Sequence, residues 1–522
     1  QVHTWPIKCA LWRTVAMGLS RHGPLARFAV AVLAILLLGV QLPTFLQPTF
    51  GTRSPPPRGR SRRLAADGAS ANPREANVLS LSVLIVGAGP AGLLLADRLL
   101  SAGCSVHLVE SRADPRAGSL EGRAYALGLG IRAQRAIRTV GDRLWETIKP
   151  SGFASERFKL HISPTFAIDL RTPEDNNGLE PSLLIYQSDL CSAMLDHLES
   201  NFESTGRLKI SFESRLKSLD TSTGVAQLQS DKDVHELPAA DLVAGCDGVN
   251  SVVRSSIAAA CPGFEVTQTK LPGSFKVLRF PEMPSKLDPT AVHAIPGKGS
   301  SSAFVEPTAR GACALINWRE GVDTKPLPNL GQLDNAEKAR EALVAYFPLI
   351  EDALGEDAGQ QFVNQKASQA STVKCNTYHF GRAVLLGDAA HCTGGVSGQG
   401  CSSAMKDSVV LAELLQREVG SGHSVAETLA LYSRQQVPEG HALLDLSLGP
   451  SEEVGPVRKA LYGAASFAGT ILSKVGIGDP PLQTLLTTCL TPFAEIRRDR
   501  DFFFGDFPKQ KDFDEMISKV SS

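Results

Sequence analysis

Several familiar sequence features are absent, and each absence excludes a class of protein. The ten cysteines include no C-x-x-C pair, and a chain of 522 residues needs no disulfide bonds to fold, so we expect free thiols and no zinc site. The longest apolar run, 28–40, is shorter than the roughly 20 residues that span a bilayer. The hydrophobic fraction of 43% excludes a wholly disordered chain.

Acidic residues are absent from the first 66 positions, which nevertheless contain nine Lys or Arg residues. The rest of the chain contains 44 basic and 54 acidic side chains, so this larger part carries a net charge of -10. A protein whose main partner is a nucleic acid usually presents a basic surface. The charge distribution therefore argues against nucleic acid as the main partner and sets the N-terminal segment apart.

Residues 1–79 are predicted to form a targeting leader rather than part of the fold. A short basic segment that begins at Met17 precedes the apolar run 28–40, and residues 51–66 (GTRSPPPRGRSRRLAA) are rich in Arg, Ser and Pro. A signal-like core followed by an acid-free, Arg-rich stretch resembles the bipartite leaders of proteins sent to complex plastids. We expect an organelle, with a plastid favoured and the mitochondrion or endomembrane as alternatives. The other interpretation is a membrane anchor followed by a disordered linker.

A dinucleotide-binding motif opens the region that is predicted to fold. The apolar run 81–86 predicts a strand, the next residues read GAGPAG, and residues 93–100 predict an amphipathic helix. A second predicted strand, 106–109, ends at Glu110, 18 positions after Gly92. In this arrangement the acid can accept hydrogen bonds from both hydroxyls of an adenosine ribose. The order of strand, turn, helix, strand and acid predicts dinucleotide binding.

Each residue of the glycine-rich turn has a physical role in holding a pyrophosphate. Gly87 permits a tight turn, Gly89 lets backbone amides approach the phosphates, and Gly92 lets the helix pack on the strand. Pro90 and Ala91 begin the helix, whose N-terminus attracts the anion. The motif by itself does not distinguish FAD from NAD.

Two later stretches favour FAD. Residues 241–254 read DLVAGCDGVNSVVR, and residues 380–415 read FGRAVLLGDAAHCTGGVSGQGCSSAMKDSVVLAELL. With these motifs the sequence resembles the single-component, FAD-dependent aromatic-ring monooxygenases, and among them it is most similar to the kynurenine 3-monooxygenases. Fragments at 122–123, 371–375 and 433–445 add to the likeness, which extends in order over roughly residues 80–450.

The resemblance implies which residues contact FAD. In that family the Asp of the Leu-Gly-Asp motif accepts a hydrogen bond from a ribityl hydroxyl, and the segment after the Asp-Gly turn lies near the pyrophosphate. The helix after the Gly-Gln-Gly turn directs its N-terminus at the pyrimidine edge of the flavin, where it stabilises negative charge. The expected contacts are Gly87, Gly89, Pro90, Ala91, Gly92, Glu110, Arg123, Gln187, Asp247, Gly248, Gly387, Asp388, Gly398, Gln399 and Gly400, with Gly395 also beside the flavin.

The resemblance also implies the architecture. We expect an α/β fold in which a Rossmann-like FAD-binding domain occupies residues 80–445. A β-sheet that covers the substrate is inserted into it at about 151–180 and 262–375, and a C-terminal helical region occupies residues 446–522.

Local patterns refine this expected architecture. Alternation of apolar and polar residues at 274–280 and 302–318 predicts strands of the inserted sheet, together with 158–170. Residues 335–347 predict a helix that Pro348 ends. The segment 460–475, rich in small residues, predicts a buried helix, with a lipid-facing or lid helix as the alternative.

The function implied by the resemblance is hydroxylation of an aromatic or electron-rich small molecule. NADPH or NADH reduces FAD, and the reduced flavin reacts with O₂ to form a flavin hydroperoxide that transfers one oxygen atom. Because the cofactor carries the chemistry, the protein needs no catalytic triad or metal cluster, and none is apparent. Two alternatives stay open. One is an epoxidase, hydroxylase or reductase of a lipophilic quinone, sterol or carotenoid, and the other is a non-oxygenating flavin-binding redox or interaction protein.

The candidate substrate-binding residues depart from the kynurenine pattern. That branch holds the substrate carboxylate with an Arg on an early strand, where this sequence has Phe158, with Arg157 one position earlier. Neighbouring strand residues face opposite sides, so Arg157 takes that place only through a register slip or a bulge. The branch also has a Tyr near 169–170, an Asn where Ser402 stands and a Pro where Gly395 stands.

These departures predict a substrate other than kynurenine, held mainly by apolar contacts. The alternative is a true kynurenine hydroxylase in which a bulge turns Arg157 into the pocket.

A reporter protein fused to residues 17–79 tests the predicted leader. We expect fluorescence microscopy to find the reporter in a plastid or the secretory system of an algal host, because the segment combines an apolar core with acid-free, Arg-rich flanks. The same reporter without the segment is the control. A fusion protein that stays diffuse in the cytosol would contradict the prediction.

Overall fold

The computed structural model of the protein describes residues 79–117, 125–176, 178–230, 233–473 and 481–521. The predicted leader, residues 1–79, lies outside the described residues except for its last position. Arg123 also lies outside the described residues.

The described strands form two large sheets and three small ones. In chain order they are β1 (Ser82–Val86), β2 (Ser105–Val109), β3 (Ala126–Leu129), β4 (Phe153–Ser155), β5 (Arg157–Ser163), β6 (Phe166–Arg171), β7 (Ser182–Tyr186), β8 (Leu208–Ser211), β9 (Ser214–Leu219), β10 (Ala226–Ser230), β11 (Asp233–Glu236), β12 (Leu242–Gly245), β13 (Val266–Lys270), β14 (Ser274–Phe280), β15 (Ala291–Pro296), β16 (Ser301–Thr308), β17 (Gly311–Trp318), β18 (Ser371–Cys375), β19 (His379–Phe380) and β20 (Ala383–Leu385).

The described α-helices connect these strands and make up the C-terminal part of the chain. In chain order they are α1 (Pro90–Ser101), α2 (Ile131–Arg138), α3 (Asp142–Ile148), α4 (Gln187–Phe202), α5 (Val252–Ala260), α6 (Ala336–Tyr346), α7 (Ala358–Asn364), α8 (Asp388–His391), α9 (Gly400–Glu418), α10 (Val425–Leu448), α11 (Gly455–Ser473), α12 (Leu482–Thr488), α13 (Phe493–Arg498), α14 (Asp501–Phe504) and α15 (Gln510–Ser521).

The first large sheet contains the glycine-rich motif and has the strand order β19-β20-β12-β1-β2-β8. Strand β1 pairs in parallel with β2 and β12, β2 with β8, and β12 with β20, whereas the edge strand β19 is antiparallel. Strands β12 and β20 are buried along their whole length, as expected for a parallel sheet covered on both faces. The predicted Rossmann-like α/β fold is thus confirmed.

Glycine is required where α1 approaches β1. A Cβ atom added to Gly92 would lie 2.0 Å from the carbonyl oxygen of Gly87. Gly87 itself has a φ of +106°, and a Cβ atom there would lie 2.3 Å from the carbonyl oxygen of Cys246 on the neighbouring strand segment. A side chain at either position would force the turn, the helix and the sheet apart.

The second large sheet, with the order β14-β17-β16-β15-β5-β6, is the inserted sheet that the sequence predicts. Its neighbours are antiparallel except for the parallel pair β15 and β5. The predicted strand 302–318 is in fact a hairpin of β16 and β17. One face of the sheet packs against α6 and α7 through an apolar cluster that includes Ile316 and Phe362.

The other face of the inserted sheet meets the three-stranded sheet β3-β7-β4. Between the two sheets lies a small set of apolar side chains that we call the inter-sheet cluster. It consists of Ala126, Leu184, Val277, Val292 and Cys313, with Tyr125, Phe153, Phe158, Phe275, Phe304 and Leu315 packed against it.

The C-terminal region is helical, as predicted, but the prediction of a buried helix at 460–475 is wrong. Helix α11 covers most of that segment and lies at the surface, with Val457 71% and Leu461 39% exposed. Because Ala and Gly have little apolar area to remove from water, a segment rich in them gains little from a core position. No helix in the described part of the chain combines the length and the apolarity needed to cross a bilayer.

Alanine substitutions at two helical glycines test the packing of the glycine-rich turn. We expect Gly92→Ala to lower the free energy of unfolding by about 1–3 kcal/mol, because its methyl group collides with the carbonyl oxygen of Gly87. The control is Gly463→Ala on α11, where nothing lies within 4 Å of the added atom and where alanine should stabilise the helix by about 0.5–1 kcal/mol. Urea unfolding measures both, and equal effects would refute the role given to Gly92.

Candidate functional site

Three motifs meet at one edge of the parallel sheet. The glycine-rich turn follows β1, Asp247 follows β12, and Asp388 follows β20. Because β1, β12 and β20 are adjacent and parallel, their carboxyl ends lie side by side, which is where ligands bind in open α/β sheets. The fold therefore brings together residues that are far apart in the sequence.

The glycine-rich turn leaves open space above its backbone. The nearest atom to a Cβ added at Gly89 is Nε2 of Gln187, at 3.9 Å, so a ligand can approach the amides at the start of α1. Glu110 is buried, and its Oε2 accepts a hydrogen bond from the backbone N–H of Ala88 at 3.0 Å. Its Oε1 accepts from the backbone N–H of Arg112 at 2.9 Å. A carboxylate has further lone pairs, so Glu110 can still accept bonds from a ribose.

Asp247 uses one carboxylate oxygen for the fold and leaves the other one available. Its Oδ2 accepts hydrogen bonds from the backbone N–H groups of Val252 and Val253 at the start of α5. Its Oδ1 is buried and has no hydrogen-bond partner among the described residues. Burial raises the pKa of Asp247. The next residue, Gly248, has a φ of +75° and nothing within 4 Å of an added Cβ, so the turn is open to a ligand.

Arg254 ties two of the motifs together. Its buried guanidinium donates to the carbonyl oxygens of Ala389 at 2.9 Å and Val249 at 2.7 Å. A third bond goes to Oε1 of Gln268 at 3.1 Å. This side chain therefore fixes the Asp-Gly turn relative to the Gly-Asp turn instead of reaching for a ligand.

A buried pair, Asp407 and His391, fixes the backbone of the Gly-Asp turn. The Oδ2 atom of Asp407 on α9 accepts hydrogen bonds from the backbone N–H of Gly387 at 3.0 Å and from Nε2 of His391 at 2.6 Å. Burial lowers the pKa of His391, but the adjacent Asp407 outweighs this and raises it overall. The pair leaves Asp388 directed to the start of α9, where its Oδ1 lies 3.8 Å from a Cβ added at Gly400.

The segment around the start of α9 combines left-handed glycine backbone with unpaired polar atoms. Gly395 and Gly398 have φ values of +77° and +66°, and nothing lies within 4 Å of a Cβ added to either. Gln399 precedes the first residue of α9, and its buried Oε1 has no partner among the described residues. The same holds for Oγ of Ser402 and Oγ1 of Thr393. Helix α9 packs on α1, where Oγ of Ser408 donates to the carbonyl oxygen of Ala91 at 2.8 Å.

These observations fit a bound FAD. Buried polar atoms without partners are rare in folded proteins and usually mark an absent ligand or water. Four of them, on Asp247, Thr393, Gln399 and Ser402, lie in the motif segments at or beside this sheet edge, and the open turns at Gly89 and Gly398 leave room for a ligand. Of the expected contacts, only Arg123 lies outside the described residues.

Phe158 and Arg157 face opposite sides of the inserted sheet. Strand β5 pairs with β15 so that Arg157 is opposite Ala291 and Phe158 is opposite Val292, without an irregularity between them. Phe158 therefore faces the inter-sheet cluster, where its ring meets that of Phe304 edge-on at 5.6 Å. A register shift does occur in the pairing with β6, but it lies after Phe158. The bulge that would turn Arg157 into the pocket is therefore not observed.

The sequence analysis did not single out one charged residue on the face of the sheet that borders the inter-sheet cluster. Glu306 on β16 lies on the same face as Phe304 and belongs to a strand that packs against β7 and β4. The signal was present in the sequence, because an acid interrupts the apolar alternation of Ala303, Val305 and their neighbours. The strand register, which decides the face of the sheet on which Glu306 lies, could not be obtained from the sequence.

Two thiols lie beside the cofactor motifs. Cys246 directly precedes Asp247, and Cys401 is the second residue of α9. Burial raises the pKa of both thiols, that of Cys401 to about 12. None of the nine cysteines in the described ranges forms a disulfide bond.

Comparisons with known proteins identify the family of the chain. The family described as "FAD binding domain" matches residues 80–447. The kynurenine 3-monooxygenase of Salinispora arenicola is 29% identical over 438 residues, covering 80% of this chain and 91% of its own length. That of Sus scrofa is 27% identical over 376 residues, covering 70% of this chain and 75% of its own.

Solved structures share the fold. A tetrameric form of 2-methyl-3-hydroxypyridine-5-carboxylic acid oxygenase aligns with a TM-score of 0.57 and 20% identity, covering 79% of this chain and 97% of that one. Pseudomonas aeruginosa PqsL in complex with 2-aminobenzoylacetate aligns with a TM-score of 0.56 and 19% identity, covering 71% and 95%. The match of the family over 80–447, where the motifs meet, shows that this chain belongs to the FAD-binding-domain family, as an FAD-dependent aromatic-ring monooxygenase.

Proposed function

We propose that the protein hydroxylates an aromatic or electron-rich small molecule at the expense of NADPH or NADH. When bound, FAD supplies the redox and oxygen-activating chemistry. The observation that carries the proposal is the position of the apolar inter-sheet cluster next to the cofactor motifs. Tyr186 at the end of β7 faces that cluster, and the next residue, Gln187, lies over the glycine-rich turn.

Residues of this chain would bind both the adenosine diphosphate part and the flavin part of the cofactor. The amides at the start of α1 and the carboxylate of Glu110 suit the pyrophosphate and the adenosine ribose. Asp388 suits a ribityl hydroxyl because its carboxylate is an acceptor beside the start of α9. The N-terminus of α9 would stabilise negative charge on the flavin, by about 0.3–2 kcal/mol.

The apolar side chains of the inter-sheet cluster favour a substrate that is held mainly by apolar contacts. The same side chains would exclude water from the reaction. The side chain of Phe158 contributes to this cluster, whereas Arg157 faces the opposite side of the sheet. We infer that kynurenine is not the preferred substrate, although two relatives at 27% and 29% identity are named kynurenine 3-monooxygenase. A cation on the opposite face offers nothing to the substrate carboxylate.

Cofactor content and substrate-stimulated turnover test the proposal. The purified protein should be yellow, release FAD on denaturation, and oxidise NADPH or NADH faster when its aromatic substrate is added. Mass spectrometry of the product should show one added oxygen atom. Absence of FAD after reconstitution would overturn the proposal, and bound FAD without any oxygenated product would favour a non-oxygenating flavoprotein.

Asp388→Ala tests the ribityl contact. We expect FAD to bind more weakly by roughly 1.5–3 kcal/mol, the contribution of a hydrogen bond to a charged group. Fluorescence titration of the apoprotein with FAD measures the change. The control is Asp233→Ala on the exposed strand β11, which should leave the affinity unchanged. Equal affinities of the two variants would contradict the role of Asp388.

Kynurenine itself tests the substrate assignment. We expect little turnover of kynurenine, and no effect of Arg157→Ala on the turnover of the true substrate, since this side chain faces away from the cluster. Initial rates over a range of kynurenine concentrations provide the measurement. Turnover with a micromolar KM that Arg157→Ala abolishes would show that the arginine enters the pocket.

A further inference from the structure

A single row of side chains crosses the face of the inserted sheet that borders the inter-sheet cluster. Phe158 pairs with Val292, and Cys313 pairs with both Glu306 and Arg279. Strands β15 and β16 are antiparallel and His293 lies opposite Val305, so Val292 lies opposite Glu306. The row therefore runs Phe158, Val292, Glu306, Cys313, Arg279, and it places an acid at its centre.

The surroundings of Glu306 do not neutralise its charge. The side chain is partly buried among apolar residues of the cluster. Its Oε2 accepts a weak hydrogen bond from Sγ of Cys313 at 3.7 Å, and the backbone of Ala126 supplies another favourable contact. Burial outweighs both contacts and raises the pKa of Glu306 to about 7. None of the described Lys, Arg or His residues forms an ion pair with it.

The other titratable groups on the facing elements cannot replace this acceptor. Burial raises the pKa of Cys313 on β17, so its thiol stays protonated and acts as a donor. Burial also raises the pKa of Tyr186 on β7. Arg279 on β14 and Arg310 after β16 each lie over the Tyr186 ring, at 5.5 Å from its centre.

Other ionisable groups also lie near these elements. Arg279 keeps a buried Nε atom without a hydrogen-bond partner among the described residues. Arg310 is also paired with Asp189 on α4, and Tyr125 before β3 packs against the cluster. The described donors to Glu306 are thus the thiol of Cys313 and the backbone of Ala126, neither of which carries a charge.

An acid in such a place costs stability, because its charged form is poorly solvated. An apolar side chain would suit the cluster better. A partly buried carboxylate whose pKa is strongly perturbed is a candidate for contact with a ligand. We propose, on the basis of the hydroxylase function proposed above, that the carboxylate of Glu306 accepts a hydrogen bond from an O–H or N–H group on the substrate ring.

This assignment specifies the chemical class of the substrate. A phenol or an aromatic amine presents a donor to Glu306 while its ring packs against Phe158 and the neighbouring apolar side chains. A carboxylate at the same point would meet a like charge. Donation to a carboxylate also raises the electron density of the ring, which favours its attack on an electrophilic oxygen. Glu306 thus positions the substrate, and the proton remains within the hydrogen bond.

The first part of the test measures stability, without turnover. In the folded protein Glu306 keeps its proton up to about pH 7, whereas an exposed glutamate ionises near its ordinary pKa, so the wild type loses stability as the pH rises between these values. Glu306→Gln of the full-length protein should therefore melt at a higher temperature than the wild type at pH 8 and at the same temperature at pH 5. Glu282→Gln, at an exposed position of the loop after β14, should match the wild type at both. A lower melting temperature of Glu306→Gln at pH 8 would mean that the fold stabilises the charge and would overturn the proposal.

The second part measures binding to the holoenzyme by perturbation of the flavin absorbance. The probes are phenol, aniline and toluene, and the larger set 1-naphthol, 1-naphthylamine and 1-methylnaphthalene. We expect the hydroxyl and amino compounds to bind more tightly than their methyl counterparts, with an advantage that grows from pH 6 to pH 8 as Glu306 ionises. Glu306→Gln should weaken the donor compounds about tenfold or more and leave the methyl compounds unchanged.

The outcomes separate this proposal from the proposed function. Equal weakening of donor and methyl compounds, unchanged donor affinity in Glu306→Gln, or no binding of any donor compound to FAD-loaded protein would each overturn the role of Glu306. Donor binding with the expected dependence on Glu306, but without any oxygenated product, would retain the binding site and reject the hydroxylase.

Discussion

The carboxylate of Asp407 is the contact on which the cofactor side of the molecule depends. One of its oxygens accepts from the backbone of Gly387 and from the imidazole of His391, with all three groups buried. The contact joins the end of β20 to the middle of α9, so it fixes where that helix begins. Removing one partner would leave a buried charge without compensation, at a cost of about 3–5 kcal/mol. The placement of Asp388 and of the Gly-Gln-Gly turn follows from this one contact.

A second set of hydrogen bonds joins the Gly-Asp turn and α9 to the other two motifs. Arg254 bonds to the carbonyl oxygen of Ala389 and to that of Val249, and Ser408 joins α9 to the first turn of α1. The glycine-rich turn, the Asp-Gly turn and the Leu-Gly-Asp motif are thus joined by one network of hydrogen bonds. A cofactor that spans all three needs such a network, because an error of position at one end would be carried to the reacting ring.

The sequence was sufficient where function resides in short, contiguous segments. The glycine-rich turn, the Leu-Gly-Asp motif and the acid after β2 were identified because the backbone geometry that each requires is specified within a few residues. Alternation predicted strands of the inserted sheet, and the resemblance to the monooxygenase family assigned them to one sheet. Glu306, Asp407 and Arg254 could not be assigned, because their roles depend on which strands and helices become neighbours. The exposure of α11 was also missed, since a run of small residues fits a surface as well as a core.

The buried environment of Cys246 and Cys401 determines how readily these two thiols can be oxidised. Flavin oxygenases that activate O₂ without a substrate release peroxide, and peroxide attacks the thiolate form of cysteine, which leads to sulfenic acid. Burial keeps Cys246 and Cys401 protonated at neutral pH. The packing that seats the glycine-rich turn and the start of α9 therefore also makes these sulfur atoms poor nucleophiles. We therefore expect Cys246 and Cys401 to react slowly with peroxide.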